Sequence, residues 1–382
     1  MKPKPDRKCV MIIAGEASGD LHGANLVKAL QARDPEIFFC GIGGRALRQA
    51  GARIIVDASQ LSVVGITEVL SKGFSLLNGI SLAKQLLKSL KPDLLILIDF
   101  PDFNLHIASK AKKIGVPVLY YISPQLWAWR AGRVKKIKAL VDHMAVILPF
   151  EVDFYRDHGV SATYVGHPLL DGEAPLPCSN RDHRSAHAVV IGILPGSRDK
   201  EVIRNLPAML SAAAVIQRRM ERVKFVISQA PTVEKDLMDG IVAGCDSGVD
   251  YRVTTDPVSD IFKECSLVIA VSGTVTLEAA IWGTPAVIIY RVSPVSYWLG
   301  RALINVKHIG LVNLIAGREI VPELVQQNAS PDNIARVVLD LLADNGRMEA
   351  IKAGLVEVRG ILGGAGASDR VAEIAMEMLK SQ

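Results

Sequence analysis

The sequence predicts an α/β protein of two Rossmann-like, doubly wound parallel-sheet domains that face each other across a cleft. Three observations carry that expectation. Short, continuously apolar runs recur between longer helical stretches, as parallel strands buried on both faces require. The alternation stops once, over residues 166–187, and then resumes. The chain has 382 residues, too many for one ordinary core and enough for two.

In the first half, runs near 9–14, 37–41, 53–56, 94–98, 117–122, 144–147 and 163–165 read as strands, with helices filling the intervals. Residues 166–187 collect Pro, Gly, Asn and charge, so the first domain is expected over 1–172 and a linker over 173–187. A second series has runs near 189–194, 223–228, 250–253, 267–271 and 286–290, with a further short strand expected near 309–311. The second domain is placed at 188–349, and a C-terminal helix over about 350–382 can pack back on the first.

Composition narrows the function classes. A hydrophobic content of 49% excludes a disordered chain. No apolar stretch reaches the ~18 residues of a membrane span, because the strongest runs break at Asp99, Ser123 or Pro149. The basic start and its short apolar run fit a first strand better than a signal peptide, so a cytoplasmic location is expected. Five cysteines (Cys9, Cys40, Cys178, Cys245, Cys265) without metal or CxxC spacing point to reduced thiols. A net charge of +5 is too mild for a nucleic-acid partner. Its placement is more telling: Arg130, Arg133, Lys135, Lys136 and Lys138 follow Trp127 and Trp129, a mixture suited to anionic lipid headgroups or a phosphorylated ligand, or else a solvated helix face beside two core tryptophans. The segment 61–90 is apolar on more than one face, which reads as core packing, a homodimer contact or a membrane-dipping surface.

Chemistry is expected at strand ends. Leu267 to Val271 run into Ser272, Gly273 and Thr274, which open a helix whose first amides can bind an anion, such as a nucleotide diphosphate. Glu278, one turn on, can accept ribose hydroxyls, and Gly283-Thr284-Pro285 ends the helix. Arg198, on the Pro195-Gly196-Ser197 turn, can grip two phosphate oxygens with its planar fork, or pair with Asp199 or Glu201. Gly15 to Asp20 follow the first strand, but GIGG at 41–44 stands where a dinucleotide fold carries its ribose-binding acid, which argues against an NAD enzyme. Asp99 ends the fourth apolar run, where burial would raise its pKa toward the range of a general base. Asp102 competes for that role, although after Pro101 it can equally cap a helix. No DxD or metal-spaced cluster occurs, so no metal or cofactor is expected, and Arg198 with the helix amides would neutralise a departing diphosphate.

AGEASGD at 14–20, PDFN at 101–104, YYISPQLWAWR at 120–130, LPFE at 148–151, YVGHPLLD at 164–171, LPGSR at 194–198, SGTVTLE at 272–278 and NLIAGRE at 313–319 together make the chain resemble the lipid-A-disaccharide synthase family, nearly end to end. The resemblance implies an inverting, metal-independent glycosyltransferase of the two-domain GT-B type. It would join UDP-2,3-diacylglucosamine to 2,3-diacylglucosamine 1-phosphate through a β(1→6) bond at the inner-membrane surface. It implies Asp99 as base and Arg198, Ser272, Gly273, Thr274, Glu278 and Asn313 at the UDP-sugar, with Val312 in place of the family's usual proline. Ser18, Asp20, Asp102, Asn104, Trp127 and Arg130 become candidates for the acceptor side. A UDP-sugar 2-epimerase and a noncatalytic UDP-sugar or lipid-binding module remain alternatives.

Overall fold

A computed structural model describes residues 7–58, 69–127, 131–172, 188–245, 248–292 and 307–381, the side chains of 69–77 and of Ala131 excepted. The chain divides into one unit of Met1–Gly172 with Gly364–Gln382, and a second of Glu173–Gly363.

The first unit is built on a parallel sheet of β1 (Cys9–Ala14), β2 (Phe38–Gly43), β3 (Arg53–Asp57), β4 (Leu94–Ile98), β5 (Val118–Tyr121), β6 (His143–Val146) and β7 (Ala162–Tyr164). The strand order is β3-β2-β1-β4-β5-β6-β7, with Ile12 of β1 opposite Gly41 of β2 and Ile96 of β4. Every residue of β1 and β4 is buried, which is why their sequences lack polar alternation. The connecting helices are α1 (Ala17–Arg33), α2 (Arg45–Gln49), α3 (Val69–Leu90), α4 (Pro101–Lys113), α5 (Val134–Leu140) and α6 (Glu151–Asp157). Over its last half, α3 sends Ile80, Ala83 and Leu87 into the core while Leu82 stays exposed, so this part of the apolar 61–90 segment is an ordinary core stripe; residues 61–68 lie outside the described residues. Gly41 has φ +152°, and a Cβ there would lie 1.8 Å from the Ile12 carbonyl oxygen, so only glycine lets β2 pass β1 at this point.

The second unit carries β8 (Val189–Leu194), β9 (Val223–Ser228), β10 (Tyr251–Thr254), β11 (Leu267–Val271), β12 (Ala286–Tyr290) and β13 (Glu323–Val325), parallel and ordered β10-β9-β8-β11-β12-β13. Its helices are α7 (Asp199–Arg219), α8 (Lys235–Gly244), α9 (Val258–Glu264), α10 (Thr274–Trp282), α11 (Leu311–Ala316), α12 (Pro331–Ala343) and α13 (Asn345–Leu362). The strand expected near 309–311 is instead the approach to α11, and the edge strand is β13, pairing Glu323 with Ile288. Three residues with one buried side chain give too short an alternation to be legible.

The helix expected over about 350–382 is two helices. Gly363 and Gly366, at φ 73° and 98°, break the chain after α13, which belongs to the second unit. The last helix, α14 (Ala367–Lys380), returns to the first unit and buries Val371, Ala372, Ala375 and Leu379 against a layer containing Ile12, Leu26, Leu30 and Ile96.

Candidate active site

In each sheet the strand order reverses once, between β1 and β4 and between β8 and β11, and α/β proteins bind ligands beside the carboxyl ends of strands at such switch points. The loops after these four strands contain most of the residues that the sequence singles out.

In the first unit, Asp99 directly follows β4. It and Phe100 both have left-handed backbones, at φ 45° and 48°, and Ile122 after β5 has φ 61°. Such conformations cost about 1–3 kcal/mol each for ordinary residues and collect at functional sites. The Asp99 amide donates to the Tyr121 carbonyl at 3.2 Å, and its own carbonyl accepts from the Tyr120 hydroxyl and from Asn104 Nδ2, each at 2.6 Å. Burial, with the nearby negative charge of Glu16, pushes the Asp99 carboxyl up to about 6 against the opposing bond from the Phe100 amide. Asp102, by contrast, is 68% exposed at the start of α4 and pairs with Arg133 at 2.6 Å. Of the two competing acids, Asp99 is the one sheltered from solvent. Asn104 is fully buried, and Nδ2 also reaches the Ile98 carbonyl at 3.2 Å. The Phe100 ring covers Gly15, where a Cβ would lie 2.3 Å from Cδ1, so the glycine after β1 makes room for the turn after β4.

The other first-unit candidates separate. Ser18 is exposed on the first turn of α1. Asp20 is buried, and its two oxygens accept from the amides of Gly44 (2.5 Å), Ala46 (2.8 Å) and Leu47 (3.3 Å). Asp20, a candidate for the acceptor side, thereby caps the start of α2, whose own N-cap, Gly44, has no side chain to do so. Trp127 donates from Nε1 to Glu151 at 3.0 Å and meets the Phe150 ring edge-on. Arg130 lies outside the described residues.

Glu151 has no sequence signal beyond its place in LPFE. It is 1% exposed, burial pushes its carboxyl up to about 7, and it accepts from Ser123, Trp127 and the Leu148 amide. It thereby ties the segment after β5 to α6. His22 on α1 has its Nδ1 buried without a hydrogen-bond partner, and burial lowers its pKa.

In the second unit, Arg198 stands at the N-cap of α7 after β8. Its side chain is 72% exposed and pairs with Glu201 at 2.9 Å. Ser272 directly follows β11 and donates to the Ile309 carbonyl at 3.2 Å. Gly273 and Thr274 are exposed at the start of α10, and no side chain caps that helix. Glu278 is half-buried; burial alone pushes its carboxyl up to about 7, and no hydrogen bond or ion pair reaches it among the described residues. An acceptor in that state suits a hydroxyl donor from outside the protein.

Asn313, expected at the UDP-sugar, is held by groups of its own unit. Fully buried on α11, it donates to the Val321 carbonyl (2.8 Å) and to Glu323 (2.7 Å) and accepts from the amides of Ile320 (2.7 Å) and Val321 (3.1 Å). Its amide is fully used in folding the chain back from α11 to β13. Glu323 completes the link by accepting from the amides of Ile309 (2.8 Å) and Gly310 (3.0 Å), the former belonging to the residue that Ser272 binds.

A family model described as lipid-A-disaccharide synthetase matches residues 10–362. The lipid-A-disaccharide synthase of Trichlorobacter lovleyi is 48% identical over 381 residues, covering 98% of each chain. That of Myxococcus xanthus is 42% identical over 375 residues, covering 97% of each. Among solved structures, the glycotransferase of kitacinnamycin matches with a TM-score of 0.63 at 15% identity, over 98% of this chain and 100% of that one. UDP-GlcNAc 2-epimerase from Neisseria meningitidis, bound to UDP-GlcNAc, matches with a TM-score of 0.59 at 11% identity and the same coverage. At such identities the structural likeness speaks for the fold, two parallel-sheet domains of GT-B type, while the close relatives and the family model speak for the lineage. The chain belongs to the lipid-A-disaccharide synthase family and is a disaccharide-forming glycosyltransferase.

Proposed function

We propose that the enzyme transfers 2,3-diacylglucosamine from its UDP ester to the 6-hydroxyl of 2,3-diacylglucosamine 1-phosphate, with inversion, giving a β(1→6) tetraacyl disaccharide 1-phosphate and UDP. Asp99 accepts the proton of the 6-hydroxyl as that oxygen attacks the anomeric carbon. The bond from that carbon to the diphosphate breaks, and UDP leaves with the electron pair. Arg198 exchanges its Glu201 partner for phosphate oxygens, the first amides of α10 take the rest of the developing charge, and Glu278 accepts the ribose hydroxyls. The observation that carries the reading is Asp99: a half-buried acid on a strained turn at the end of β4, with its pKa pushed up to about 6. A base so tuned is mostly ionised at neutral pH yet holds a proton well enough to contribute ~10²–10⁴ in rate.

Both substrates carry two acyl chains, each chain of about a dozen carbons holding its substrate in a bilayer by ~10 kcal/mol. We therefore also propose that the enzyme works at the inner-membrane surface, using the 61–77 part of the apolar segment and the basic residues after Trp127. No helix among the described residues is long and apolar enough to cross a membrane, so contact would be peripheral. Replacing Val69, Leu70 and Phe74 together by Ser should weaken sedimentation with liposomes and leave UDP binding intact.

The test is UDP release and product mass with both lipids in detergent and EDTA. Acceptor-dependent UDP with a tetraacyl disaccharide phosphate is expected. UDP binding with no disaccharide would overturn the reading in favour of an epimerase or a binding module.

A further inference from the structure

At the carboxyl end of β4 two consecutive non-glycine residues, Asp99 and Phe100, hold left-handed backbones. L residues stay in that region only where their surroundings keep them there. The groups that do so can be named. The Asp99 carbonyl oxygen accepts two bonds of 2.6 Å, one from the Tyr120 hydroxyl and one from Asn104 Nδ2. Both donors are fully buried, on β5 and in the first turns of α4. The strand register places Tyr120 level with Leu97, two residues before Asp99, so a phenol on β5 spans the distance to the turn. On Phe100's side, the ring rests where a side chain on Gly15 would be.

We propose that Tyr120 and Asn104 are positioning residues for Asp99: by binding its carbonyl oxygen they lock the main chain in the left-handed turn that sets the direction of its carboxylate. This rests on the reading of Asp99 as the base. Tyr120 and Asn104 act through it. If the phenol is lost, one of the two donors on that carbonyl goes, and the turn can relax toward the right-handed region. The carboxylate then shifts and gains water.

Tyr120→Phe removes the hydroxyl and keeps the ring. Its kcat should fall roughly 10-fold to 10²-fold, the scale of a misplacement of about 1 Å, with the donor KM changed less than about twofold. The acid limb of the kcat profile should move down toward the ordinary carboxylate range as Asp99 becomes better solvated. The titratable groups around the turn are Glu16 before α1, which faces Asp99, and Asp102 on α4 and Tyr155 on α6, which face the Tyr120 phenol, and Tyr120→Phe leaves all three unchanged. Asn104→Leu removes the second donor without adding a charge and should act in the same direction, so it carries the test if thermal unfolding shows that Tyr120→Phe does not fold. Unchanged kcat in the folded variants, or a lower kcat with the acid limb unmoved, overturns the proposal. Asp99→Asn measured alongside separates the two readings: normal turnover there removes Asp99 as base and the positioning proposal with it, whereas an inactive Asp99→Asn beside an unimpaired Tyr120→Phe removes the positioning proposal alone.

Discussion

Asp99 and Glu278 are both carboxyls that burial holds partly protonated near neutrality, at about 6 and about 7. For Asp99 the consequence is kinetic. If Asp99 is the proposed base it works ionised, so kcat should rise with pH through about 6, and Asp99→Asn should lower kcat by ~10² or more with UDP affinity nearly unchanged. The stability effect has the opposite sign. A carboxyl whose folded value exceeds its unfolded value binds protons more tightly when folded, so its ionisation destabilises the fold as pH rises from about 4 to about 6. Asp99→Asn should therefore gain stability on the order of 2 kcal/mol at pH 7.5 and none at pH 4, as urea unfolding at the two pH values would show. For Glu278 the consequence is in binding. If a ribose hydroxyl donates to the ionised carboxylate, UDP binding expels a proton and tightens as pH rises through about 7. Glu278→Gln should weaken UDP roughly tenfold and abolish the proton release, measured by calorimetry in buffers of different ionisation enthalpy.

At the scale of elements, α14 is fastened to the first unit by Asp171, and Arg33 of α1 pairs with Asp369 and Glu373 of the helix. Asp171 accepts from the amides of Gly366 (2.8 Å), Ala367 (2.8 Å) and Ser368 (2.9 Å) and from the Ser368 hydroxyl (2.8 Å). Arg370 adds a bond from Nε to the Val165 carbonyl at 2.7 Å. Burial works to raise the Asp171 carboxyl, but the bonds from Ser368, Ala367 and Gly366 together hold it below its ordinary value. Its stabilisation is thus complete above about pH 4 and is lost as pH falls through the folded value. Asp171→Ala should cost about 1–3 kcal/mol at pH 7 in urea unfolding, a difference that shrinks in acid. In the second unit, the Asn313 to Glu323 network plays a comparable part, joining α11, β13 and the turn at Ser272.

The whole molecule depends on a chain that leaves the first unit at Gly172 and re-enters it at Gly364. Ending the chain at Gly363 would strip α14 from the layer that holds Ile12, Leu26 and Leu30, and burial of a Val or Leu contributes about 1.5–3 kcal/mol. The first unit should then unfold in a separate, lower transition, while the second, which keeps α13 and its own sheet, should still bind UDP. Scanning calorimetry with a nucleotide titration reads both. This division was only partly legible. The aperiodic stretch before residue 188 announces one crossing, whereas the return is hidden in Gly363-Gly364-Ala365-Gly366, a break between two helices that belong to different units.

What the sequence by itself determined is local and periodic. Continuously apolar runs marked most strands to within a few residues, small residues at 15–20, 195–198 and 272–274 marked the loops beside the switch points, and the motif blocks carried the family. The tertiary structure decided the tasks of individual polar groups. It half-buried Asp99 and left Asp102 exposed with Arg133, turned Asp20 into a cap for α2, used every hydrogen bond of Asn313 inside the fold, and gave Glu151 and Tyr120 roles that their neighbours in sequence do not suggest. The physical reason is common to all of them. A strand's character follows from its own side chains, but the charge state and free valence of a polar group depend on burial and on partners delivered by distant segments, such as Tyr120 to Asp99 across 21 residues or Trp127 to Glu151 across 24.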